Sequence, residues 1–492
     1  MSRYILAVDQ STQGTKGLLF DEDGALVCRA DRPHRQIISP LGWVSHDPEE
    51  IRQNTLAVCR DTVEKAGIDK GSIAAFGISN QRETTVAWDG ETGKSICDAI
   101  VWQCARAQAV CERLSGMADT VRARTGLNLS PYFPAAKMGW IMENVPEAKA
   151  LADAGRLRLG TVDSWLLSFL TRERVHATDY SNASRTQLFD ITALRWDEEL
   201  CRAFGVPAGA LPEVRMSDSA FGTTDLGGYL DEPIPVCGVL GDSHGALFGQ
   251  DCRRPGQVKA TYGTGSSVMM NIGTEPRFSP GGLVTSLAWG MNGRVEYVFE
   301  GNLNYTGAVM TWLRRDVGLI ENDAEATELA RAANPNDRCY FVPAFSGLGA
   351  PYWDSRASGM LTGLSRTTGR AEIAKACLEC IAYQITDLTE LMRRDAGVEL
   401  ASLRVDGGPT ASEYLMQFQA DMARASVEVP NLQELSGMGA AYAAGISAGL
   451  YDPDRVYEQV RRRVYAPAMD AERREELYKG WQAAVRQVLT HD

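Results

Sequence analysis

The sequence predicts an α/β protein of two domains facing each other across a cleft. Three observations lead there. The chain has 492 residues, beyond the roughly 250–300 at which a single core stops growing. In each half a strand meets a short turn and returns as a second strand: Tyr4 to Val8 with Gly17 to Phe20, and 258–262 with 268–272 around Gly263-Thr264-Gly265. Each half also sets a carboxylate beside glycine at a strand's carboxyl end, Gly241-Asp242 and Asp406-Gly407-Gly408. The division falls after Gly249, giving domains 1–249 and 250–492.

Composition narrows the function classes. An apolar fraction of 44% is that of an ordinary folded protein. A net charge of −13 without a Lys/Arg run argues against nucleic acid and anionic membrane as partners. No stretch approaches the ~20 apolar residues of a membrane span, and MSRYILAVDQ lacks a signal-peptide layout. Eleven scattered cysteines suit the reducing cytoplasm. Cys377 and Cys380 lie in one helical pattern and read as buried thiols rather than metal ligands.

In chain order, the first hairpin turn runs Asp9-Gln10-Ser11-Thr12-Gln13-Gly14-Thr15-Lys16, and Asp21-Glu22-Asp23-Gly24 closes the second strand. Backbone amides and Thr12 on such a turn can face an anion, with Lys16 adding charge; an ordinary polar hairpin carries the same pattern. It is not a Walker loop. Residues 48–65 follow a helical period, and Ile73 to Ile78 is a strand ending in Ser79-Asn80-Gln81-Arg82-Glu83-Thr84. Ligands of α/β sheets bind beyond strand carboxyl ends. There Arg82 and Glu83 offer a donor fork and an acceptor to a hydroxylated ligand, or a surface ion pair at a turn. Val86 to Trp88 and Ile100 to Trp102 read as short strands. Trp102 is a core residue or an apolar wall for a carbon skeleton.

A helix ends at Gly126, and Tyr132 follows Pro131 in a loop. Residues 137–170 look helical apart from strand-like 157–161, with Asp163-Ser164-Trp165 as a helix N-cap region. Residues 176–186 read as a polar loop, and Ile234 to Val239 as the strand that delivers Asp242. In the second half, a strand at 295–299 joins the hairpin. Helices are expected at 305–317, 323–333, 370–394 and 412–424, with strands at 340–343 and 403–405. A glycine-rich loop spans 345–353, and a glycine-rich helix starts at Gly437. A carboxylate on a turn can act as a base, and a Gly-Thr-Gly turn lets amides and a hydroxyl approach a phosphate.

Several long runs carry a resemblance: LAVDQSTQGTKGLLFD (6–21), GISNQRETTVAWDGETGKSICDAIVWQCAR (77–106), GTVDSWLL (160–167), HATDYSNASRTQLFDI (176–191), YGTGSS (262–267), VPAFSGLGAPYWD (342–354), LRVDGG (403–408) and LMQFQAD (415–421). The chain resembles the FGGY carbohydrate kinases over nearly its whole length, and among them the glycerol kinases. The resemblance implies two actin-like (ribonuclease H-like) domains with a catalytic cleft, and ATP with magnesium. It implies phosphorylation of a polyol or sugar hydroxyl, glycerol to sn-glycerol 3-phosphate first, and a homodimer or homotetramer; a non-kinase actin-like ATPase is the competing class, and it would leave Arg82, Glu83, Trp102 and Tyr132 unexplained.

By the same resemblance Asp242 is the general base. Arg82, Glu83, Trp102 and Tyr132 hold the polyol, with Ser243 and Ser267 in its pocket. Thr12, Gln13, Gly14, Lys16, Thr264, Gly307, Thr311, Gly408 and Ser412 face the nucleotide, and Asp9 and Asp242 the metal. Lys16 stands where an Arg is common, which keeps charge but loses the bidentate fork, and Ser412 where Asn is frequent. Ser243 and Ser267 stand where glycerol kinases commonly carry Gln and Phe. Two serines make a larger, more polar pocket, open to a longer polyol or a ketopentose. Some relatives are inhibited by fructose 1,6-bisphosphate at a glycine- and Arg-bearing loop. The matching stretch, Gly227-Gly228-Tyr229-Leu230-Asp231-Glu232-Pro233-Ile234, has Glu232 at the Arg position, so such inhibition is not expected.

Overall fold

The computed structural model describes residues 3–490. Its strands and helices are named here in chain order. The first half gives β1 (Tyr4–Gln10), β2 (Gly14–Phe20), β3 (Leu26–Pro33), α1 (Pro48–Ala66), β4 (Ile73–Asn80), β5 (Gly222–Thr224), β6 (Ile234–Gly241) and α2 (Asp242–Gly249). The second half gives β7 (Gln257–Tyr262), β8 (Ser266–Gly273), β9 (Val284–Met291), β10 (Arg294–Leu303), α3 (Gly307–Arg315), α4 (Arg370–Ala396), β11 (Ser402–Asp406), α5 (Glu413–Ala423), β12 (Val427–Pro430), α6 (Leu435–Ser447) and β13 (Arg462–Tyr465).

Two sheets repeat one plan. The first runs β5-β6-β4-β1-β2-β3 and the second β9-β10-β8-β7-β11-β12-β13. In each, an antiparallel hairpin (β1 with β2, β7 with β8) extends through a third antiparallel strand. On the other side its first strand pairs in parallel with β4 or β11, which pairs in parallel with β6 or β12. The parallel strands of each sheet therefore end along one edge, the edge where ligands of α/β sheets bind.

The apolar run of β1 follows from burial on both faces. Leu6 and Val8 join a core with Ile51, Val58 and Val63 of α1. Ile5 and Ala7 join another with Met438, Ala441 and Tyr442 of α6. Helix α6, late in the chain, thus covers the first sheet. It also lies against α2, and small residues permit the contact. A Cβ on Gly439 would fall 1.9 Å from the Gly245 carbonyl oxygen, and one on Gly245 2.7 Å from that of Ser436. Helix α1 is capped at one end by the Asp47 side chain, which accepts from the Glu49 amide, and at the other by left-handed Gly67.

Between β4 and β5 the chain builds a smaller layer, with Thr85–Asp89 pairing antiparallel to Leu157–Thr161. Three readings of this region change. The helical run resolves into Pro134–Asn144, Pro146–Asp153 and Val162–Leu170. Asp163 lies inside the first turn rather than at the cap, and accepts from Thr161 Oγ1 and Thr178 Oγ1. Burial pushes its carboxyl up to about 7. Residues 176–186, read as a polar loop, form a strand at Ala177–Asp179 and a short helix at Tyr180–Ala183. Their polarity points inward: buried Asp179 accepts from the Ser181 and Asn182 amides and from Ser217 Oγ. The sequence pattern also missed β9 and the helix Ala471–Val488. Cys377 and Cys380 are buried in α4, and burial pushes the Cys377 thiol up to about 12.

Candidate active site

The cleft between the two sheets has a volume of about 1470 Å³ and is lined by both halves, Asp9, Ser11 and Asp242 facing Thr261, Gly265 and Asp406. Pleating and register set its second wall. On β7, Val258, Ala260 and Tyr262 enter the core, so Lys259 and Thr261 take the opposite face. Thr261 pairs with Asp406 on one side and Ser267 on the other, and Ser267 with Asn302. Asp406, Thr261, Ser267 and Asn302 thereby form one polar row along the cleft. The next row down brings Arg404, Lys259, Met269 and Glu300 side by side.

Asp242 opens α2 directly after β6. Its Oδ1 accepts from the Ser243 amide at 2.6 Å and lies 3.2 Å from Arg82 Nε. That last contact is an ion pair without hydrogen-bond alignment, and Arg82 Nε has no aligned acceptor. Both contacts fall on Oδ1. The Arg82 guanidinium is held from the far sheet: Nη1 and Nη2 donate to Glu300 Oε2 and Oε1 at 3.2 and 3.1 Å. Arg185 completes the cluster, donating from Nε to Glu83 Oε1 at 2.6 Å, with Nη1 2.7 Å from Glu300 Oε2. All four are buried, Glu300 and Glu83 at 2% exposure. Burial opposes the Glu300 charge, but Arg185 and Arg82 outweigh it and hold the carboxyl well below the usual range. Glu83 adopts φ 61°, a conformation side chains other than glycine avoid.

The smaller layer supplies the aromatic side. Trp102 and Tyr132 have ring centroids 5.4 Å apart. Trp102 Nε1 donates to Thr12 Oγ1 at 2.9 Å, tying this wall to the first hairpin turn. Lys137, fully buried, donates to the Tyr132 carbonyl. Burial lowers its amine to about 7 against the pull of Glu83. The structure thus brings Arg82, Glu83, Trp102, Tyr132 and Asp242 into one region.

At the other end, Gly263-Thr264-Gly265 docks on the start of α3: the Gly307 amide donates to the Gly263 carbonyl at 2.9 Å and the Ala308 amide to that of Thr264 at 3.0 Å. A Cβ on Gly265 would fall 2.3 Å from the Leu303 carbonyl oxygen, so only glycine allows this approach. Thr264 and Gly408 are exposed. Thr311 follows on α3, its hydroxyl donating to the Gly307 carbonyl at 3.4 Å. Ser412 caps α5, accepting from the Leu415 amide and sharing a 2.8 Å hydrogen bond with Thr327. In the first turn Gln13 is exposed, and Gly14 already lies in β2, whose Lys16 donates to Glu434 at 2.7 Å. Lys16 is therefore paired within the protein. Burial raises the Asp9 carboxyl to about 6, although Lys16 pulls it down and Ser79 donates to it at 2.8 Å. Ser267 Oγ is buried and unpartnered.

Sequence reasoning missed Arg185 and Glu300. Arg185 lay inside the quoted HATDYSNASRTQLFDI run, whereas Glu300 sits in an apolar strand with no local signal.

Two sheets of this one topology on either side of a cleft define the actin-like (ribonuclease H-like) fold class. Comparison gives the family. Residues 4–249 match the N-terminal domain and 258–448 the C-terminal domain of the FGGY family of carbohydrate kinases. The chain belongs to that family and is an ATP-dependent phosphotransferase of it. It is 45% identical to the glycerol kinase of Caldanaerobacter subterraneus subsp. tengcongensis, covering 99% of each chain. It is also 45% identical to glycerol kinase 1 of Thermotoga maritima, over 99% of this chain and 100% of the other. Among solved structures, Plasmodium falciparum glycerol kinase with ADP superimposes with a TM-score of 0.93 at 34% identity, covering 100% of this chain and 99% of that one. A xylulose kinase from Lactobacillus acidophilus, at 21% identity and TM-score 0.86, shares the fold.

Proposed function

We propose that this enzyme transfers the γ-phosphoryl group of ATP to a terminal hydroxyl of glycerol, giving sn-glycerol 3-phosphate. The observation that carries it is the placement of Asp242, whose two close contacts among the described residues both fall on Oδ1, with Oδ2 left to receive the acceptor proton. Arg82 and Glu83 hold the hydroxyls, and Trp102 with Tyr132 covers the carbon chain. The acceptor oxygen attacks the γ-phosphorus, its proton passes to Asp242, and the bond to the bridging oxygen breaks as ADP leaves. The Gly263-Thr264-Gly265 turn and the residues around Gly307, Thr311 and Gly408 hold the nucleotide, with Ser412 supporting them as a cap. Thr12, Gln13 and Gly14 face its phosphates.

Asp9 and Asp242 would hold a magnesium ion. Among the described residues no three His, Cys, Asp or Glu side chains cluster as a metal site. One or two carboxylates suit a cation that keeps water and phosphate ligands. When bound, it neutralises phosphate charge. We place the enzyme in the cytoplasm as a homodimer or homotetramer, divided at 249/250. Among the described residues no helix is long and apolar enough to cross a membrane.

The unpartnered Ser267 hydroxyl, with Ser243 nearby in the cleft lining, favours one second reading: a longer polyol or a ketopentose as acceptor. ADP release measured with glycerol, erythritol, ribitol, xylitol, xylulose and ribulose decides. The highest kcat/KM with glycerol supports the first reading, and the highest with another acceptor replaces it.

A further inference from the structure

Lys259 is a buried amine with no hydrogen-bond partner among the described residues. It is 2% exposed and lines the cleft beside Thr261. Among the described residues its Nζ makes no hydrogen bond and no close ion pair. Burial lowers the amine, Asp406 pulls it back up, Arg82 pushes it down, and Glu300 and Asp242 raise it. Arg404 stands beside it across the parallel register. A lysine kept dry with no anion at bonding distance is costly unless one is brought to it. The surrounding side chains do not supply one at bonding distance, although Asp242 and Asp406 line the same cleft. The strand also fixes its direction: Val258 and Ala260 enter the core, so Lys259 takes the opposite face and lines the cleft that Asp242, Gly263 and Gly265 also line.

We propose that Lys259 is a catalytic residue whose ammonium contacts the phosphoryl group in flight between the nucleotide and the acceptor. The proposal rests on the kinase reading above. In the step, the new oxygen–phosphorus bond forms on the acceptor side and the bond to the ADP oxygen breaks with its electron pair. The acceptor proton goes to Asp242, and Lys259 keeps its protons throughout. Its charge offsets the negative charge on the three equatorial oxygens, where fixed donors act most strongly.

The test compares wild type with Lys259→Met and Lys259→Arg, reading turnover with the best acceptor and ADP affinity with and without aluminium fluoride, a mimic of the phosphoryl group in flight. Lys259→Met is expected to lower kcat by about 10²–10³, to leave ADP affinity without fluoride within about threefold, and to abolish the tightening by fluoride. Lys259→Arg, which keeps the charge, recovers part of both. A Met variant with kcat within about threefold of wild type, or with undiminished fluoride tightening, overturns the proposal. So does a wild type that shows no tightening. Should the Met variant not fold, Lys259→Gln carries the same expectations. A wild type that phosphorylates no acceptor removes the kinase reading, while the fluoride comparison still decides the role of Lys259.

Discussion

The two ends of the cleft are built on opposite principles. At the proposed acceptor end Arg82, Arg185, Glu83 and Glu300 neutralise one another in the dry interior. At the proposed nucleotide end the elements are turns, Gly263-Thr264-Gly265 with Gly263 and Thr264 exposed and Gly407-Gly408, whose groups are backbone amides and a hydroxyl. A small polyol offers few contacts, so its donors and acceptors must be fixed beforehand. A nucleotide brings its own charge and many contacts, so a turn that lets it approach closely is enough. The proposed acceptor end also spans both sheets: Arg82 follows the end of β4 and Glu300 lies in β10. The Arg82–Glu300 pair therefore ties the two sheets together at that end.

The largest expected effect breaks the acceptor end. Glu300→Gln leaves two buried arginines undercompensated and should destabilise the fold by about 3–5 kcal/mol in urea unfolding. In whatever folds, KM for glycerol should rise much more than KM for ATP. An unchanged unfolding midpoint would mean the cluster is not a stabilising unit. Gly265→Ala attacks the other end, because its Cβ would meet the Leu303 carbonyl oxygen at 2.3 Å. KM for ATP should rise by about tenfold, the effect of roughly 1.4 kcal/mol, with KM for glycerol nearly unchanged. Equal rises in both constants would show that the ends are not separable.

Lys137→Met separates positioning from stability at the acceptor end. Tyr132 loses its backbone anchor, so KM for glycerol should rise about fivefold, as for one lost hydrogen bond of ~1 kcal/mol. The folded amine sits near 7 against 10.5 when free. Charging it inside the fold carries a cost that is full below pH 7 and fades as pH rises toward 10.5. Wild-type stability should therefore climb from pH 7 to 9, and the Met variant should climb less while melting higher at pH 7. Parallel pH profiles would contradict this. The smallest expected effect is none. Asp231 pairs with Lys70 at 2.7 Å, and exposed Glu232 adds an unpaired negative charge to the stretch that carries Gly227-Gly228, counted among the described residues. Millimolar fructose 1,6-bisphosphate at low salt should leave activity unchanged, and saturable inhibition relieved by salt would show a working anion site there.

What the sequence disclosed follows the same divide. The nucleotide-end turns and the hairpins around them are local patterns, and β1, β2, β7 and β11 stand within a few residues of their expected places. The position of Asp242 at the start of α2 was legible because a strand, a glycine and a carboxylate sit in one run. Glu300 was not, because its role depends on the pairing of Met269 with Glu300 across β8 and β10 and on the approach of β4 from the other half. Residues 176–186 misled because hydroxyls and amides that cap one another in the interior look like a solvated loop until their partners are known. The crossing of α6 onto the first sheet is equally a long-range matter of glycine contacts with α2.

The claim that joins both ends is that Asp242 takes the acceptor proton in a cleft that otherwise only positions and neutralises. Asp242→Asn tests it most directly, with glycerol turnover and ADP binding measured on the same preparation. The account predicts a kcat lower by at least ~10² with ADP affinity essentially unchanged. A variant that keeps more than about a tenth of wild-type kcat would contradict it.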